Sequence, residues 1–196
     1  MLQNRIAIFG GTFNPVHNGH LQNASHIADE FQLDRILFVP AKIPVHKRIN
    51  NDPGPEERSY MLSLAIRADS RFELSTLEIE RNSESYSIYT VRSVIKNYPD
   101  SKIFFIVGSD SFNTITGWKN YGELISLVHF IVMKRPGDSI REEVLDIIPS
   151  VSIAKNVEID VSSTKIREFI KEKKDCAKLL PDKVLSYINE KEFYLL

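Results

Sequence analysis

Apolar residues along this chain follow two alternating patterns. Short, nearly continuous apolar runs at residues 5–9, 35–39, 102–107 and 129–133 are typical of buried strands. Over residues 19–31, 55–68, 86–97 and 164–173, apolar residues recur at spacings of three and four, which predicts amphipathic helices. Because consecutive parallel strands need a long connection, usually a helix, the alternation predicts an α/β fold with a doubly wound parallel sheet.

Two segments break this alternation. Residues 40–55 contain four prolines, one glycine and a pair of asparagines, which predicts a surface loop, and its basic centre His46-Lys47-Arg48 suits a phosphate. Pro181 and Asp182 precede an apolar pattern that predicts a closing C-terminal helix. No repeat or shift in composition marks a second unit, so we expect residues 1–196 to form a single domain.

Composition restricts the class of protein. Hydrophobic residues make up 42% and charged residues 26%, which is ordinary for a soluble globular protein. Lysine and arginine total 25 against 26 acidic residues, so no overall positive field favours a nucleic-acid polymer as partner. No stretch approaches the roughly 20 apolar residues that span a bilayer, and we expect a cytoplasmic protein without a membrane partner. Cys176 is the only cysteine, which excludes an internal disulfide.

The sequence GGTFNPVHNGH at residues 10–20 joins the first strand to the first helix. In an α/β sheet this turn lies at the carboxyl end of the strands, where ligands bind. Gly10 and Gly11 let the backbone approach a ligand, and the helix N-terminus offers N–H groups to an anion. The segment matches neither the dinucleotide GxGxxG pattern nor a P-loop, so it predicts a phosphate site of another kind.

His17 and His20 lie three residues apart across the predicted helix start. This spacing would aim both imidazoles at one phosphate chain, where they can donate hydrogen bonds as charge develops. Two alternatives stay open: histidines of a surface loop without a role, or a metal pair, although the segment contains no cysteine or acidic residue to complete a metal site.

A second candidate anion site is VSSTKIR at residues 161–167, again before a predicted helix. Either Ser162 or Ser163 can act as a helix N-cap, which is the purely structural interpretation. Three hydroxyls with Lys165 and Arg167 at a helix N-terminus would also suit a polyphosphate. Two such helix starts, far apart in the sequence, predict one nucleotide held from both sides.

Together the two segments resemble the signatures of the adenylyl- and cytidylyltransferase superfamily, which has a Rossmann-like fold, an HxGH box and an SSTxxR box. The intervening sequence narrows the resemblance to bacterial nicotinate-nucleotide adenylyltransferases over nearly the whole chain. It is carried, in order, by residues 43–47, 80–81, 85–87, 108–110, 118, 134–136 and 180–184.

The resemblance implies transfer of the adenylyl group of ATP, bound with Mg²⁺, to nicotinate mononucleotide, giving nicotinate adenine dinucleotide and pyrophosphate for NAD biosynthesis. It implies no metal ligand among the protein side chains. His17 and His20 would face the α- and β-phosphates, with Lys47 nearby. The other ATP-binding residues that it implies are Gly10, Gly11, Thr12 and Phe13 in the backbone cradle, and Ser162, Ser163, Thr164 and Arg167 around the pyrophosphate.

Further site residues are expected near the middle of the chain, with Asp110 on the ATP side and the others on the acceptor side. Asp110 follows a buried strand and could bind ribose hydroxyls, although a helix cap at Ser109 or Asp110 is the structural alternative. By resemblance Trp118 stacks on the pyridine ring, with core packing as its alternative. Tyr86, Ser87 and Lys119 would contact the carboxylate. His26 and His129 are expected to have no catalytic role.

The chain departs from the family pattern at three positions, one in residues 10–20 and two in residues 85–90. Asn14 stands where an aspartate is usual, and Tyr89 replaces an expected acid, while Ser87 keeps the hydroxyl of the usual threonine. Pantetheine-phosphate adenylyltransferase and a non-catalytic nucleotide sensor on the same fold are the alternative functions. The sequence leaves open whether the protein acts alone or as a homo-oligomer.

Overall fold

Six parallel strands form the centre of the structure, a computed structural model that describes residues 3–45, 51–134, 137, 139–155 and 161–195. Their order in the sheet is β3-β2-β1-β4-β5-β6, and every neighbouring pair is parallel. This order confirms the predicted doubly wound α/β fold. The strands are β1 (Arg5–Gly11), β2 (Arg35–Pro40), β3 (Phe72–Leu74), β4 (Lys102–Gly108), β5 (His129–Met133) and β6 (Val151–Ile153).

Helices connect the strands and cover both faces of the sheet. In the described ranges none of them is long and apolar enough to cross a membrane. The α-helices are α1 (Asn18–Glu30), α2 (Pro55–Ala65), α3 (Ser87–Asn97), α4 (Ser109–Phe112), α5 (Tyr121–Leu127), α6 (Glu142–Leu145), α7 (Ser163–Lys171) and α8 (Asp182–Glu190), with 3₁₀ turns at Ile66–Ala68 and Ile115–Gly117.

Alternate residues of each central strand enter two separate apolar cores. In β1, Ala7 and Phe9 pack with α1, α2, α7 and α8, whereas Ile6 and Ile8 pack on the opposite face with α3, α4, α5 and α6. Because both faces are buried, neither can be polar, which explains why the strands appear in the sequence as continuous apolar runs rather than as alternating patterns.

The predicted elements are confirmed, with corrections at their ends. The loop predicted at 40–55 is shorter, because Pro40 still pairs with Gly11 in the sheet and Pro55 begins α2. Residues 46–50 of that loop lie outside the described residues. The helix predicted at 55–68 ends as a 3₁₀ turn. The helix predicted at 164–173 ends at Lys171, and Lys173 has a left-handed backbone with φ 55°.

The sheet topology creates a crevice between β1 and β4. From β1 the chain builds outward through β2 and β3, and then crosses to β4 and continues outward through β5 and β6. At such a switch point the connections after the two strands diverge to opposite faces, leaving room for a ligand at their carboxyl ends. The segment after β1 carries the HxGH box, and the segment after β4 begins at Ser109.

Candidate active site

The loop after β1 is shaped by a buried phenylalanine. Phe13 has a left-handed backbone with φ 50°, and only 2% of its surface is exposed. Its ring lies beneath Gly11, where a Cβ atom would come within 3.0 Å of the ring Cζ. A side chain at this position would therefore require the Phe13 ring to move by a few tenths of an ångström, and glycine lets the loop close over the ring without that shift. The side chain of Phe13 belongs to the core, so only its backbone is available for the predicted cradle.

His17 and His20 are stacked at the start of α1. Their ring centroids are 3.6 Å apart, and their planes differ by 28°. His17 is the N-cap residue, and its backbone N–H donates to Nδ1 of His20 over 3.3 Å. A neutral imidazole that accepts at Nδ1 carries its proton at Nε2. The helix start thus fixes His20 in the form that can donate from Nε2.

Gly19 allows α1 to approach the second box. A Cβ atom at Gly19 would lie 2.6 Å from Cγ1 of Val161, closer than real side-chain atoms approach each other. Val161 immediately precedes the N-cap of α7. The two helix starts that the sequence predicts as anion sites are therefore in direct contact in space.

Hydrogen bonds join the two boxes. Ser162 is the N-cap of α7, and its Oγ accepts from the backbone N–H of Lys165 over 3.2 Å, which confirms the capping interpretation for this residue. Ser163 Oγ donates to the carbonyl of Pro15 over 2.9 Å. Arg167 Nη1 donates to the carbonyl of Asn14 over 2.8 Å. The turn after β1 and the first turn of α7 form one structural unit.

Comparison with known proteins identifies the family that shares this arrangement. The family model of cytidylyltransferase-like proteins matches residues 8–169. The nicotinate-nucleotide adenylyltransferase of Bacillus subtilis is 40% identical over 190 residues, which cover 97% of this chain and 98% of that protein. The chain belongs to the nicotinate-nucleotide adenylyltransferase family of cytidylyltransferase-like proteins.

A further relative agrees with this assignment, and a solved structure agrees with the fold. A Halalkalibacterium halodurans protein named "Probable nicotinate-nucleotide adenylyltransferase" is 41% identical over 97% of this chain and 91% of its own length. The structure of Plasmodium falciparum nicotinic acid mononucleotide adenylyltransferase complexed with NaAD superposes with a TM-score of 0.81, covering 98% of each chain at 21% identity. At that identity the superposition confirms the Rossmann-like fold.

In this member of the nicotinate-nucleotide adenylyltransferase family, two tyrosines at the start of α3 lie beside the ammonium group of Lys119. The Nζ atom lies 4.4 Å from the ring centroid of Tyr86 and 5.2 Å from that of Tyr89. A hydrogen bond with Tyr89 raises the pKa of Lys119. The tyrosine that replaces an expected acid thus still holds a cation, by its ring face and hydroxyl. Tyr86 precedes α3, and Ser87 is its first residue.

The end of β2 links this region to the HxGH loop. The backbone N–H of Ala41 donates to the carbonyl of Gly11 over 2.9 Å. The next two residues, Lys42 and Ile43, donate their backbone N–H groups to Oγ of Ser85 over 3.1 and 3.3 Å. Ser85 directly precedes Tyr86, so a continuous hydrogen-bonded path runs from the glycine turn to the start of α3.

The residues after β4 occupy the second wall of the crevice. The N-cap of α4 is Gly108, so the structural alternative of a helix cap at Ser109 or Asp110 is wrong, and Asp110 is exposed in the first turn. Trp118 follows the 3₁₀ turn Ile115–Gly117 and is half-buried, with its ring edge-to-face against Phe105 at 6.1 Å. Core packing therefore accounts for one edge of the Trp118 ring.

Arg58 is a residue of this region that the sequence interpretation missed. It is fully buried, and it donates to the carbonyls of Thr12 and Ala41 over 2.7 and 2.8 Å and to Oδ1 of Asp52 over 2.9 Å. The HxGH loop and the end of β2 are thus tied to one guanidinium. Arg58 lies one turn before Met61, on the apolar side of α2. A charged side chain is buried at such a position only where it has partners, so the sequence pattern could have indicated a structural role for Arg58.

The remaining sequence predictions concern a loop lysine, two isolated residues and the question of metal binding. Lys47 lies outside the described residues, as do Arg135 and Pro136. His129 contacts Oγ of Ser150 and Ser152 at 2.6 and 2.9 Å, which agrees with a structural role, and burial lowers its pKa. Burial also raises the pKa of the Cys176 thiol. Within the described ranges no three His, Cys, Asp or Glu side chains are grouped to hold a metal ion.

Proposed function

We propose that this protein transfers the adenylyl group of ATP to nicotinate mononucleotide, releasing pyrophosphate and nicotinate adenine dinucleotide. The observation that carries the proposal is the direct contact of two helix N-termini, α1 with its histidine pair and α7 with Arg167. Oriented N–H groups, imidazoles and a guanidinium at one point suit a polyphosphate. The naming of full-length relatives as nicotinate-nucleotide adenylyltransferases supports the choice of acceptor.

The chemistry needs little from the protein besides position and charge. The phosphate of the mononucleotide is already ionised, so its oxygen attacks the α-phosphorus of ATP without a general base. The bond from that phosphorus to the bridging oxygen of the β-phosphate breaks, and pyrophosphate leaves with the electron pair. Mg²⁺ enters as part of the ATP substrate, since phosphate oxygens are its preferred ligands. Alignment and charge neutralisation remain as the tasks of the chain.

His20 is proposed to act at the transferring phosphate. With Nδ1 accepting from the backbone of His17, its Nε2–H can donate to a phosphate oxygen on which negative charge grows. His17, which is only 6% exposed and stacked against His20, is proposed to hold that ring and to face the same phosphates. Lys47 is proposed to add a positive charge nearby.

The first turn of α7 is proposed to bind the leaving pyrophosphate. Ser162 and Thr164 would present hydroxyls there, and Arg167 would bind phosphate oxygens with its guanidinium. Because the hydroxyl of Ser163 donates to the carbonyl of Pro15, we propose that Ser163 contributes its backbone N–H instead. The backbone of Gly10, Gly11, Thr12 and Phe13 would line the meeting point of the two substrates.

Acceptor recognition is proposed to depend on the cluster around Lys119. Its ammonium group, held beside Tyr86 and Tyr89, supplies a positive charge suited to the nicotinate carboxylate. The ring of Trp118 would stack on the pyridine ring, and Ser87 would donate to the carboxylate. On the ATP side, Asp110 would accept hydrogen bonds from ribose hydroxyls.

The direct test is a pyrophosphate-release assay with ATP, Mg²⁺ and four acceptors: nicotinate mononucleotide, nicotinamide mononucleotide, phosphopantetheine and glycerol phosphate. We expect rapid release with nicotinate mononucleotide and a product with the mass of the dinucleotide. Release with phosphopantetheine alone would identify the alternative transferase. ATP binding without release for any acceptor would identify a nucleotide sensor and overturn the proposal.

We also propose that the protein works in the cytoplasm, where a buried free thiol such as that of Cys176 stays reduced. Fractionation of cells expressing the protein would test this location.

A further inference from the structure

Asn14 connects three separate parts of the chain at the turn after β1. Its side chain is 3% exposed. Oδ1 accepts a hydrogen bond from the hydroxyl of Tyr194 over 2.7 Å, and Nδ2 donates to the carbonyl of Asn51 over 3.4 Å. Its own carbonyl accepts from Arg167. Whatever holds the Asn14 side chain therefore also determines where the Arg167 guanidinium is anchored.

Tyr194 is held firmly although it lies close to the end of the chain. It is 6% exposed, and it packs in the core formed with α8, with its ring edge-to-face against Phe193 at 6.2 Å. Its backbone is left-handed with φ 69°, a conformation that is unfavourable for tyrosine and persists only where surrounding contacts impose it. These contacts give the hydroxyl a fixed position beneath the turn.

The Tyr194 hydroxyl donates to Asn14, and its environment keeps the proton that this hydrogen bond needs. Burial and the nearby Asp52 carboxylate raise the pKa of Tyr194 well above its usual value, so the hydroxyl keeps its proton. The amide of Asn14 matches its two neighbours, because one end accepts from Tyr194 and the other donates to a carbonyl. A carboxylate at this position would face the Asn51 carbonyl oxygen without a hydrogen to donate.

We infer that Tyr194 is a positioning residue for pyrophosphate binding. By fixing the Asn14 side chain, the C-terminal segment holds the Asn14 carbonyl where it anchors Arg167 at the start of α7. The inference rests on the proposed function only in the role given to Arg167. It adds that the last residues of the chain, which make no contact with substrate in this proposal, determine the affinity of the site for the leaving group.

The variant Tyr194→Phe tests this inference, because it keeps the ring and removes only the hydroxyl. Tyr187→Phe is the matched control: its hydroxyl also makes a hydrogen bond from the C-terminal segment, 2.6 Å to Oε2 of Glu57, but on α2 rather than on the turn after β1. Pyrophosphate affinity is measured by calorimetry without any acceptor. Melting temperature and KM for each substrate are measured alongside.

For Tyr194→Phe we expect pyrophosphate binding to weaken about tenfold, since a buried acceptor loses its partner, with a parallel rise in KM for ATP. KM for the mononucleotide should stay within about twofold, and Tyr187→Phe should leave all three constants within the same limit. A lower melting temperature with unchanged pyrophosphate affinity would show a purely structural role and overturn the inference. Equal losses in both variants would overturn it too.

If Tyr194→Phe does not fold, Asn14→Ala tests the same hydrogen bond, because it removes the acceptor instead of the donor. It should weaken pyrophosphate binding in the same way, and unchanged binding would overturn the inference. Where both single variants fold, the double variant should be no weaker than the weaker single variant, because one interaction is lost in all three. Failure of the proposed acceptor would appear separately, as a wild-type protein that binds pyrophosphate but does not use nicotinate mononucleotide.

Discussion

Arg167 donates a hydrogen bond of 2.8 Å from Nη1 to the backbone carbonyl of Asn14, 153 residues earlier in the chain. Its Nη2 lies 3.3 Å from Oγ1 of Thr164 on the same helix turn. A guanidinium has five N–H donors, so these two contacts orient the group and leave donor capacity for a phosphate. One side chain thus joins the two sequence boxes and faces the proposed pyrophosphate position.

Replacing Arg167 with alanine should raise KM for ATP and weaken pyrophosphate binding by about tenfold to a hundredfold, as expected for charge-assisted hydrogen bonds. Arg167→Lys is the control, because it keeps the charge without the planar guanidinium. Its KM for ATP and its pyrophosphate affinity should lie between those of the wild type and of Arg167→Ala. Steady-state kinetics and calorimetry measure these constants. A defect confined to the mononucleotide would place Arg167 in another part of the site.

His20→Ala should lower turnover at least about a hundredfold, because a donor at the developing charge contributes roughly 3 kcal/mol. His26→Ala is the matched control: His26 lies on the same helix, with its ring near Glu30 at 4.0 Å, and we give it no role. Both variants should melt close to the wild-type temperature. Near-normal turnover of the His20 variant would remove His20 from the mechanism.

Arg58→Met should destabilise the fold, by about 2–5 kcal/mol, because it leaves two carbonyls without their donor and removes the ion pair between the buried guanidinium and the partly exposed Asp52. Urea unfolding measures the loss. Arg92→Met removes an ion pair with Glu123 of comparable length from the surface, where water screens the charges, and should change stability far less. Equal effects of the two substitutions would contradict the role given to Arg58.

Glu78 should make stability fall as pH rises. Burial raises its pKa above the ordinary 4.5, so between that value and the raised value the folded state binds more protons than the unfolded state. The loss begins near the ordinary pKa and levels off above the raised one. Thr90 Oγ1 donates to Oε1 of Glu78 over 2.6 Å, a contact that glutamine keeps. Glu78→Gln should therefore flatten this part of the stability profile, and an unchanged profile would contradict the assignment.

The sequence was sufficient to predict the longer helices and strands of the fold, but not the short ones. Four strands were long enough to appear as apolar runs and five helices to show a helical period, whereas β3 and β6 have three residues each and α4 and α6 four, too few for either pattern. The helix α5, with seven residues, is likewise too short to show a clear helical period. These short elements are stabilised by contacts with the rest of the fold, and such tertiary contacts leave no local pattern in the sequence.

The candidate site was predictable where function requires special residues in a short segment. The glycines and histidines of residues 10–20 and the hydroxyls of 162–164 stand out locally. Tyr194 does not, because its partner Asn14 is 180 residues away and an apolar chain end gives no sign of a buried hydroxyl. The same holds for Ser163, whose hydroxyl serves the turn at Pro15.

Lys119→Ala tests the acceptor side of the account. Removing the ammonium beside Tyr86 and Tyr89 should lower kcat/KM for nicotinate mononucleotide by about tenfold, because the carboxylate loses a charge-assisted contact. The amide substrate has no charge on that group, so its kcat/KM should change little. A parallel loss for both substrates would show that Lys119 only supports the fold around the tyrosines.

The ratio of kcat/KM for nicotinate and nicotinamide mononucleotide in the wild-type protein tests the central claim most directly. In the proposed acceptor site the Ser87 hydroxyl and the Lys119 ammonium match the two oxygens of a carboxylate, whereas an amide brings hydrogens of its own and leaves a donor unmatched. We therefore predict a preference for the acid of about tenfold to a hundredfold. Equal values, or a preference for the amide, would contradict the assignment of nicotinate mononucleotide as the acceptor.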